Sequence, residues 1–502
     1  MMLLASFSPP ASTRIRLRRI TASVVAAGLV VVAAAQDGGA RRNGKGARDG
    51  EGRGEAKMPP PVFRTDVPAR PFDLILGRPT TNAVTASILT YQEAEGTLAY
   101  GTAPDALSHE TDRGIFPAGQ PVEVKLTGLA ANTTYHYEFR MRFSGRGALT
   151  STGRHSFTTA RPPGTPFTFT IQADPHLDFG IDPKTYEKSL ANARAARPDF
   201  HLDLGDTFMV DKYLKFTDAA PQYLAQRYYF GLIGADIPVF LVLGNHDGET
   251  LRRGGDATMA LWSNERRKRY FPNPEPNDFY TGNAVPHPEA GLLQNTYAWT
   301  WGDALFIALD QYWTSAGGRG NGQDNWGRTL GRTQYEWFRD LLARSPAKYT
   351  FVFIHHLVGG ETPEGRGGAE ASRFFEWGGL ELDGRTTFAQ KRPGWAAPLH
   401  DLLARRRGVI VFHGHDHLYA HQQRDGVIYQ LVPQPGHSRT DNIRSAAEYG
   451  YQQGVIQGAS GILRVSVAPA ETVVDYVRAY PDSAENAAHR TGSVTHRFTV
   501  RP

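Results

Sequence analysis

The 502-residue chain contains no cysteine. Disulfides therefore contribute nothing to its fold, a lipidated N-terminal cysteine is excluded, and any metal it holds is bound by nitrogen and oxygen rather than thiolate. A membrane-spanning stretch is missing too. The apolar run Ile20–Ala35 is short for a spanning helix. Arg14, Arg16, Arg18 and Arg19 precede it and the small residues Ala33, Ala34 and Ala35 close it, which is the order of a secretory signal cleaved after Ala35. Residues 1–35 are expected to be removed and to leave no stable membrane anchor. The product is then exported, periplasmic or extracellular, with Arg18-Arg19 leaving a twin-arginine route open. The body also lacks an excess of charge. Formal charge is +5, of which the four arginines of 1–35 supply +4 and residues 36–57 a further +2, so the remainder is near −1. Basicity sits in the leader and linker, and gives no signal for a nucleic-acid partner. Residues 36–68 are rich in Gly, Arg and Pro and read as a flexible linker.

Beyond the linker the sequence is that of an ordinary globular protein, the whole chain being 40% hydrophobic and 21% charged. Residues 69–163 show strand signals and no convincing helix. Tyr135, Tyr137, Phe139, Met141 and Phe143 alternate with His136, Glu138, Arg140 and Arg142, a period-two strand with one face buried. Val122, Val124 and Leu126 repeat the pattern, and 72–76, 84–89 and 156–159 are further short strands separated by turn residues. Gly96–Thr102, Leu126–Leu129 and Asn132–Tyr137 in that order resemble fibronectin type III-like domains, in particular the one ahead of the catalytic domain in purple acid phosphatases. No cluster of titratable groups stands out there, so a packing and spacing role is favoured over glycan or partner binding.

From residue 164 onward strands alternate with helices. The strand at 167–173 runs into Asp174, Pro175 and His176; 200–204 into Gly205 and Asp206; 237–243 into Gly244, Asn245, His246 and Asp247; 350–354 into His355 and His356. The continuous apolar run 409–412 stops at Gly414, before His415, Asp416 and His417. Five strands each end in a metal-capable side chain, and in α/β sheets strand C-terminal ends converge on the site. Imidazole nitrogens mixed with carboxylate and amide oxygens suit Fe, Mn or Zn rather than an all-oxygen Mg or Ca cage. Transition-metal ions held side by side can share a hydroxide that is nucleophilic near neutral pH. Further on, 297–301 and 304–309 read as a hairpin around Gly302-Asp303. Tyr335, Phe338, Leu341 and Leu342 form a helical face, and 463–467, 472–476 and 494–500 are late strands.

The order D-x-H, G-D, G-N-H-D, H, G-H-x-H over residues 167–467 resembles the calcineurin-like metallophosphoesterase superfamily. The resemblance implies an α/β (α+β) domain over 164–502, a two-sheet β-sandwich flanked by helices and preceded by the all-β sandwich. It implies that Asp174, His176, Asp206 and His417 hold one metal and that Asp206, Asn245, His355 and His415 hold the second, with Asp206 bridging. His246 is then a general acid or charge stabiliser whose tautomer Asp247 fixes, and the substrate is a small phosphomonoester or phosphodiester. The pattern departs from purple acid phosphatases at one position: Met209 stands where their G-D-x-x-Y motif carries the iron-bound tyrosine. An exported binding protein that kept the fold and lost turnover is the alternative, and it would normally show a broken ligand set. Three insertions, 248–294, 315–332 and 357–394, are expected to shape the pocket. Their Arg366 and the run Arg266–Arg269 are candidates for gripping an anion, although such a run is more often a solvated helix face.

Overall fold

Alternation of apolar and polar residues builds the first layer. The computed structural model describes residues 62–143, 147–178, 180–251, 257–315, 325–359 and 366–502. The expected leader, most of the linker and parts of the three insertions lie outside the described residues. Strands β1 (Phe72–Gly77), β2 (Ala83–Thr90), β3 (Ala94–Gly101), β4 (His109–Glu110), β5 (Gly114–Phe116), β6 (Val122–Thr127), β7 (Thr134–Phe143) and β8 (Thr150–Thr158) form an all-β sandwich. One sheet has the order β1-β2-β6, the other β4-β3-β7-β8 with β5 against β3. The alternating residues of β7 do what their period requires: Tyr135, Tyr137, Phe139 and Met141 are buried with Leu74, Val84, Leu98 and Phe116.

The body contains two further sheets packed face to face. The first pairs β11 (Val239–Leu241), β10 (Phe200–Asp203), β9 (Phe167–Gln172), β20 (Gly461–Val467), β21 (Thr472–Arg478) and β22 (Val494–Val500) in that order. The second runs β12 (Thr281–Gly282), β13 (Tyr297–Trp301), β14 (Ala304–Ala308), β15 (Tyr349–Phe353), β16 (Val409–His413), β18 (Val427–Leu431), β17 (Tyr419–Arg424) and β19 (Val455–Gln457). The strands that carry the motifs are parallel: β9, β10 and β11 in one sheet, β14, β15 and β16 in the other. Their C-terminal ends therefore emerge together. Between the sheets lies an aromatic core that includes Phe169, Phe200, Phe306, Phe353 and Phe412. Each buried phenylalanine side chain stabilises by roughly 1.5–3 kcal/mol.

Four longer helices cover the outer faces: α1 (Pro183–Ala195), α2 (Ala220–Gly234), α3 (Thr258–Tyr270) and α4 (Gly331–Arg344). Asp182 caps α1 by accepting from the Lys184 amide, and Pro183 sits at its first position, where a missing N–H costs nothing. Tyr335, Phe338 and Leu342 turn the apolar stripe of α4 inward.

The β-sandwich is not merely tethered to the body. Arg227 of α2, fully buried, donates to Ser87 O (3.0 Å), Ser87 Oγ (3.1 Å) and Asp73 O (3.3 Å). Tyr137 Oη donates to Ala235 O, and Ile75 of β1 packs in one cluster with Phe208, Val210, Tyr223 and Phe230. The described residues from 62 to 502 accordingly belong to one compact unit.

Candidate metal centre

The fold brings the seven expected ligands to the edge where the parallel strands end. Glycines permit the approach. A Cβ on Gly244 would lie 2.1 Å from the Asp206 amide nitrogen, and one on Gly205 would lie 2.2 Å from the Gly244 nitrogen. Only bare backbone lets the Gly205-Asp206 and Gly244-Asn245 turns touch, which sets Asp206 beside the second turn. Four of the seven expected ligands, Asp174, Asp206, His415 and His417, have positive φ (58°, 56°, 79° and 56°). Each non-glycine residue held there costs of order 1–3 kcal/mol, a strain that clusters where side chains must be aimed.

Two groups result. Asp174, His176 and His417 have ligand-capable atoms within 4.8 Å of one another, and so do Asp206, His355 and His415. The groups adjoin: His355 Nε2 lies 3.2 Å from Asp206 Oδ2 and 3.7 Å from Asp174 Oδ1. Asp174 Oδ2 accepts from the His415 amide (2.9 Å), while its Oδ1 and Asn245 Oδ1 are buried without a hydrogen-bond partner. His355 Nδ1 donates to Leu204 O at 2.8 Å, so Nε2 is the nitrogen that faces the carboxylates.

These residues fit divalent or trivalent ions. The Nε2 atoms of His176 and His417 face each other at 3.0 Å, and Asp178 holds the opposite nitrogen of His176 at 3.1 Å. Two imidazole lone pairs converge in that way only around a proton or a cation. Burial alone would lower the His355 pKa, yet Asp206 and Asp174 raise it to about 10. Asp206 is held well below the usual carboxylate range, because His355 and His246 outweigh the cost of burying it. The site demands positive charge, and the nitrogen and oxygen donors suit borderline metals.

The expected role of Asp247 is corrected. Its carboxylate does not touch His246. It is buried and accepts four backbone amides, from Thr207 (2.7 Å), Phe208 (2.9 Å), Gly244 (2.8 Å) and Asp206 (3.1 Å), so it ties the two glycine turns together. The partner of His246 is Asp211, whose Oδ1 lies 2.9 Å from His246 Nδ1. Asp211 sits in a short 3-10 turn, Val210–Lys212, five residues past Asp206. His246 Nε2 is left toward the centre, 4.0 Å from Asp206 Oδ2. Asp178 and Gln434, whose amide lies 3.3 Å from His176 Nε2, are also absent from the sequence reading. The second carboxylate in D-P-H-L-D is the only sequence signal for either.

His356 is buried, held by Gln311 at its backbone oxygen (2.8 Å) and at Nδ1 (3.1 Å), and packs its ring 4.8 Å from that of His415. Burial pushes its pKa well below the ordinary imidazole value. The basic run is not a solvated face throughout. Arg267 is 1% exposed and paired with buried Glu249 at 2.6 Å, while Lys268 donates to Leu292 O. Arg366 is paired with Asp416, at 2.5 Å, between the two histidines of the last motif.

Clustered histidines and carboxylates at the C-terminal edge of a helix-flanked two-sheet sandwich place the chain in the class of metal-binding hydrolases. The family model for calcineurin-like phosphoesterases matches residues 167–419, and the chain belongs to that family. Among solved structures it is similar to that of PhoD, with TM-score 0.59 and 14% identity over 86% of this chain and 90% of that one. It is also similar to purple acid phosphatase PPD1 from yellow lupin (Lupinus luteus) seeds, with TM-score 0.54 and 13% identity over 85% and 74%. At these identities the likeness concerns the fold alone. A comparison with curated proteins finds no match. Among the described residues no helix is long and apolar enough to cross a membrane.

Proposed function

We propose that the protein is an exported phosphoesterase that uses two transition-metal ions, Fe, Mn or Zn, to hydrolyse a small phosphomonoester or phosphodiester. The observation that carries this reading is the adjacency of the two ligand groups, with His355 Nε2 facing carboxylates of both. Asp174, His176, Asp206 and His417 would hold one ion, and Asp206, Asn245, His355 and His415 the other. When bound, such ions polarise a phosphoryl oxygen and make water nucleophilic at neutral pH.

The rest is done by the chain itself. Asp211 holds His246 Nδ1–H, so the exchangeable proton of the imidazolium is on Nε2. As the bond from phosphorus to the ester oxygen breaks, His246 Nε2 gives that proton to the departing oxygen and the ring becomes neutral. Asp247 keeps Asp206 and Asn245 at their separation through the backbone amides it accepts. The all-β region, read as fibronectin type III-like, serves packing, consistent with the Arg227 contacts.

The test is a panel of phosphomonoesters, linear and cyclic diesters and nucleotides with metal-reconstituted protein. Hydrolysis of at least one class, abolished by a chelator, is expected. A protein that binds two ions and turns over nothing would support the alternative, a binding protein on this fold.

A further inference from the structure

A sixth strand ends at the metal centre. β18 pairs with β16 in parallel, Phe412 beside Gln430 and His413 beside Leu431, so its C-terminal end emerges with the one that carries His415 and His417. The Val432 amide continues the ladder by donating to His413 O at 2.7 Å. Gln434 follows two residues later, at the place where the other five motif strands present an expected ligand. It is flanked by Pro433 and Pro435, which restrict the backbone on both sides. The segment after His176 clasps this loop: the Asp182 amide donates to Gly436 O (2.8 Å), the Ser438 amide to Gly180 O (3.1 Å), and Ser189 Oγ to Pro435 O.

The Gln434 side chain is 1% exposed, and its amide reaches the ligand atoms. Nε2 lies 3.3 Å from His176 Nε2, the nitrogen left toward the centre once Asp178 occupies the other. His176 Nε2 is in turn 3.0 Å from His417 Nε2. Two donors bonded to one ion at about 2.1 Å are ~3.0 Å apart at a right angle and ~3.4 Å apart at the tetrahedral angle. The three side chains are thus spaced as ligands of one ion. An amide N–H is no ligand, but Oε1 is, and it is buried with no donor where it stands. A half-turn of the amide about its last bond brings Oε1 beside His176, and Oε1 forfeits no hydrogen bond by moving. His176 cannot offer its Nε2 lone pair to Gln434 and to an ion at once. Binding an ion therefore releases the contact that holds the amide as it is.

We propose that Gln434 Oε1 is a further ligand of the first ion, beside Asp174, His176, Asp206 and His417. The inference rests on the two-ion reading of the centre and sets its halves apart, with five donors from the chain at the first ion and four at the second. Five donors and one open position suit a six-coordinate Fe or Mn rather than a tetrahedral Zn.

The test is equilibrium dialysis of the full-length protein against manganese(II), with bound ions counted by elemental analysis and a thermal melt of each metal-free variant. Gln434→Leu keeps the bulk of the side chain and removes the oxygen; Gln434→Glu keeps an oxygen. The unmodified protein should bind two ions. Gln434→Leu should bind one of them at least about tenfold more weakly and leave the other unchanged, while Gln434→Glu should hold both. Unaltered binding of both ions by Gln434→Leu overturns the proposal. Equal weakening in the two variants overturns it too, as does a metal-free melt lowered alike in both, since either result makes Gln434 a packing residue. The two readings fail separately. A single ion in the unmodified protein, weakened by Gln434→Leu and restored by Gln434→Glu, keeps the ligand and loses the second ion. Two ions indifferent to Gln434→Leu do the reverse.

Discussion

Replacing Asp247 by asparagine should damage the fold, whereas the same change at Asp211 should damage the chemistry. Asp247 Oδ1 accepts from the amides of Thr207 and Phe208, and Oδ2 from those of Asp206 and Gly244, all four bonds being buried. An asparagine retains one acceptor oxygen and turns an NH2 group on the other pair of N–H groups, leaving two buried donors unmet. At about 1–3 kcal/mol for each unsatisfied group, Asp247→Asn should cost roughly 2–6 kcal/mol. That loss should lower Tm by about 2–7 °C in a folded body of this size. Asp211 is different: its side chain is 26% exposed, and an asparagine there still accepts from His246 Nδ1–H but without the carboxylate's charge behind the bond. Stability should change by no more than about 0.5 kcal/mol. Turnover of an alkyl phosphate should fall by part of the ~10²–10⁴-fold that general acid catalysis is worth. Thermal melts and steady-state kinetics on the two variants, each with its metal content measured, decide the matter. A stable, fully metallated Asp247→Asn with a selective loss on alkyl esters, beside an unaffected Asp211→Asn, would refute the reasoning.

Three other outcomes are expected. His246→Ala should slow an alkyl phosphate by about 10²–10⁴-fold and a nitrophenyl ester far less, because a nitrophenolate leaves without a proton; equal losses on both would place His246 in charge stabilisation. A chain begun at Pro162 should be soluble only poorly or unfold at lower temperature, since it loses the Ser87 and Asp73 contacts of Arg227 and uncovers the apolar cluster that Ile75 packs against; a melt as high as that of the longer protein would show the sandwich to be dispensable. His201, bonded to Thr170 Oγ1 at 2.8 Å, has its pKa lowered by burial to about 3, so the unfolded chain binds the extra proton as pH falls below about 6.5. Its contribution to stability is thus present above that pH and falls by up to about 1.4 kcal/mol per unit below it, and a glutamine there should flatten the slope in acid denaturation curves.

The clustering of Asp174, His176 and His417 beside Asp206, His355 and His415 was legible because each follows a buried strand in sequence, and parallel strands deliver their C-terminal ends to one place. The hairpin at Tyr297–Ala308 and the α4 face were legible for the same local reason, period two and period 3.6. The partner of His246 was not. Adjacency suggested Asp247, but a turn that reverses direction sends neighbouring side chains apart, and Asp211 arrives from another loop. Arg267 and Arg227 were equally opaque, since charge in a helix predicts exposure until a buried carboxylate or a set of strand carbonyls is brought to it. The leader reading and most of the linker reading concern residues outside those described.

Metal stoichiometry tests the central claim most directly. Elemental analysis of the full-length protein after reconstitution with Fe, Mn or Zn should find two ions per chain, and Asp206→Asn should lose at least one of them together with activity. A single ion per chain, or full occupancy and activity in Asp206→Asn, would contradict the two-metal account.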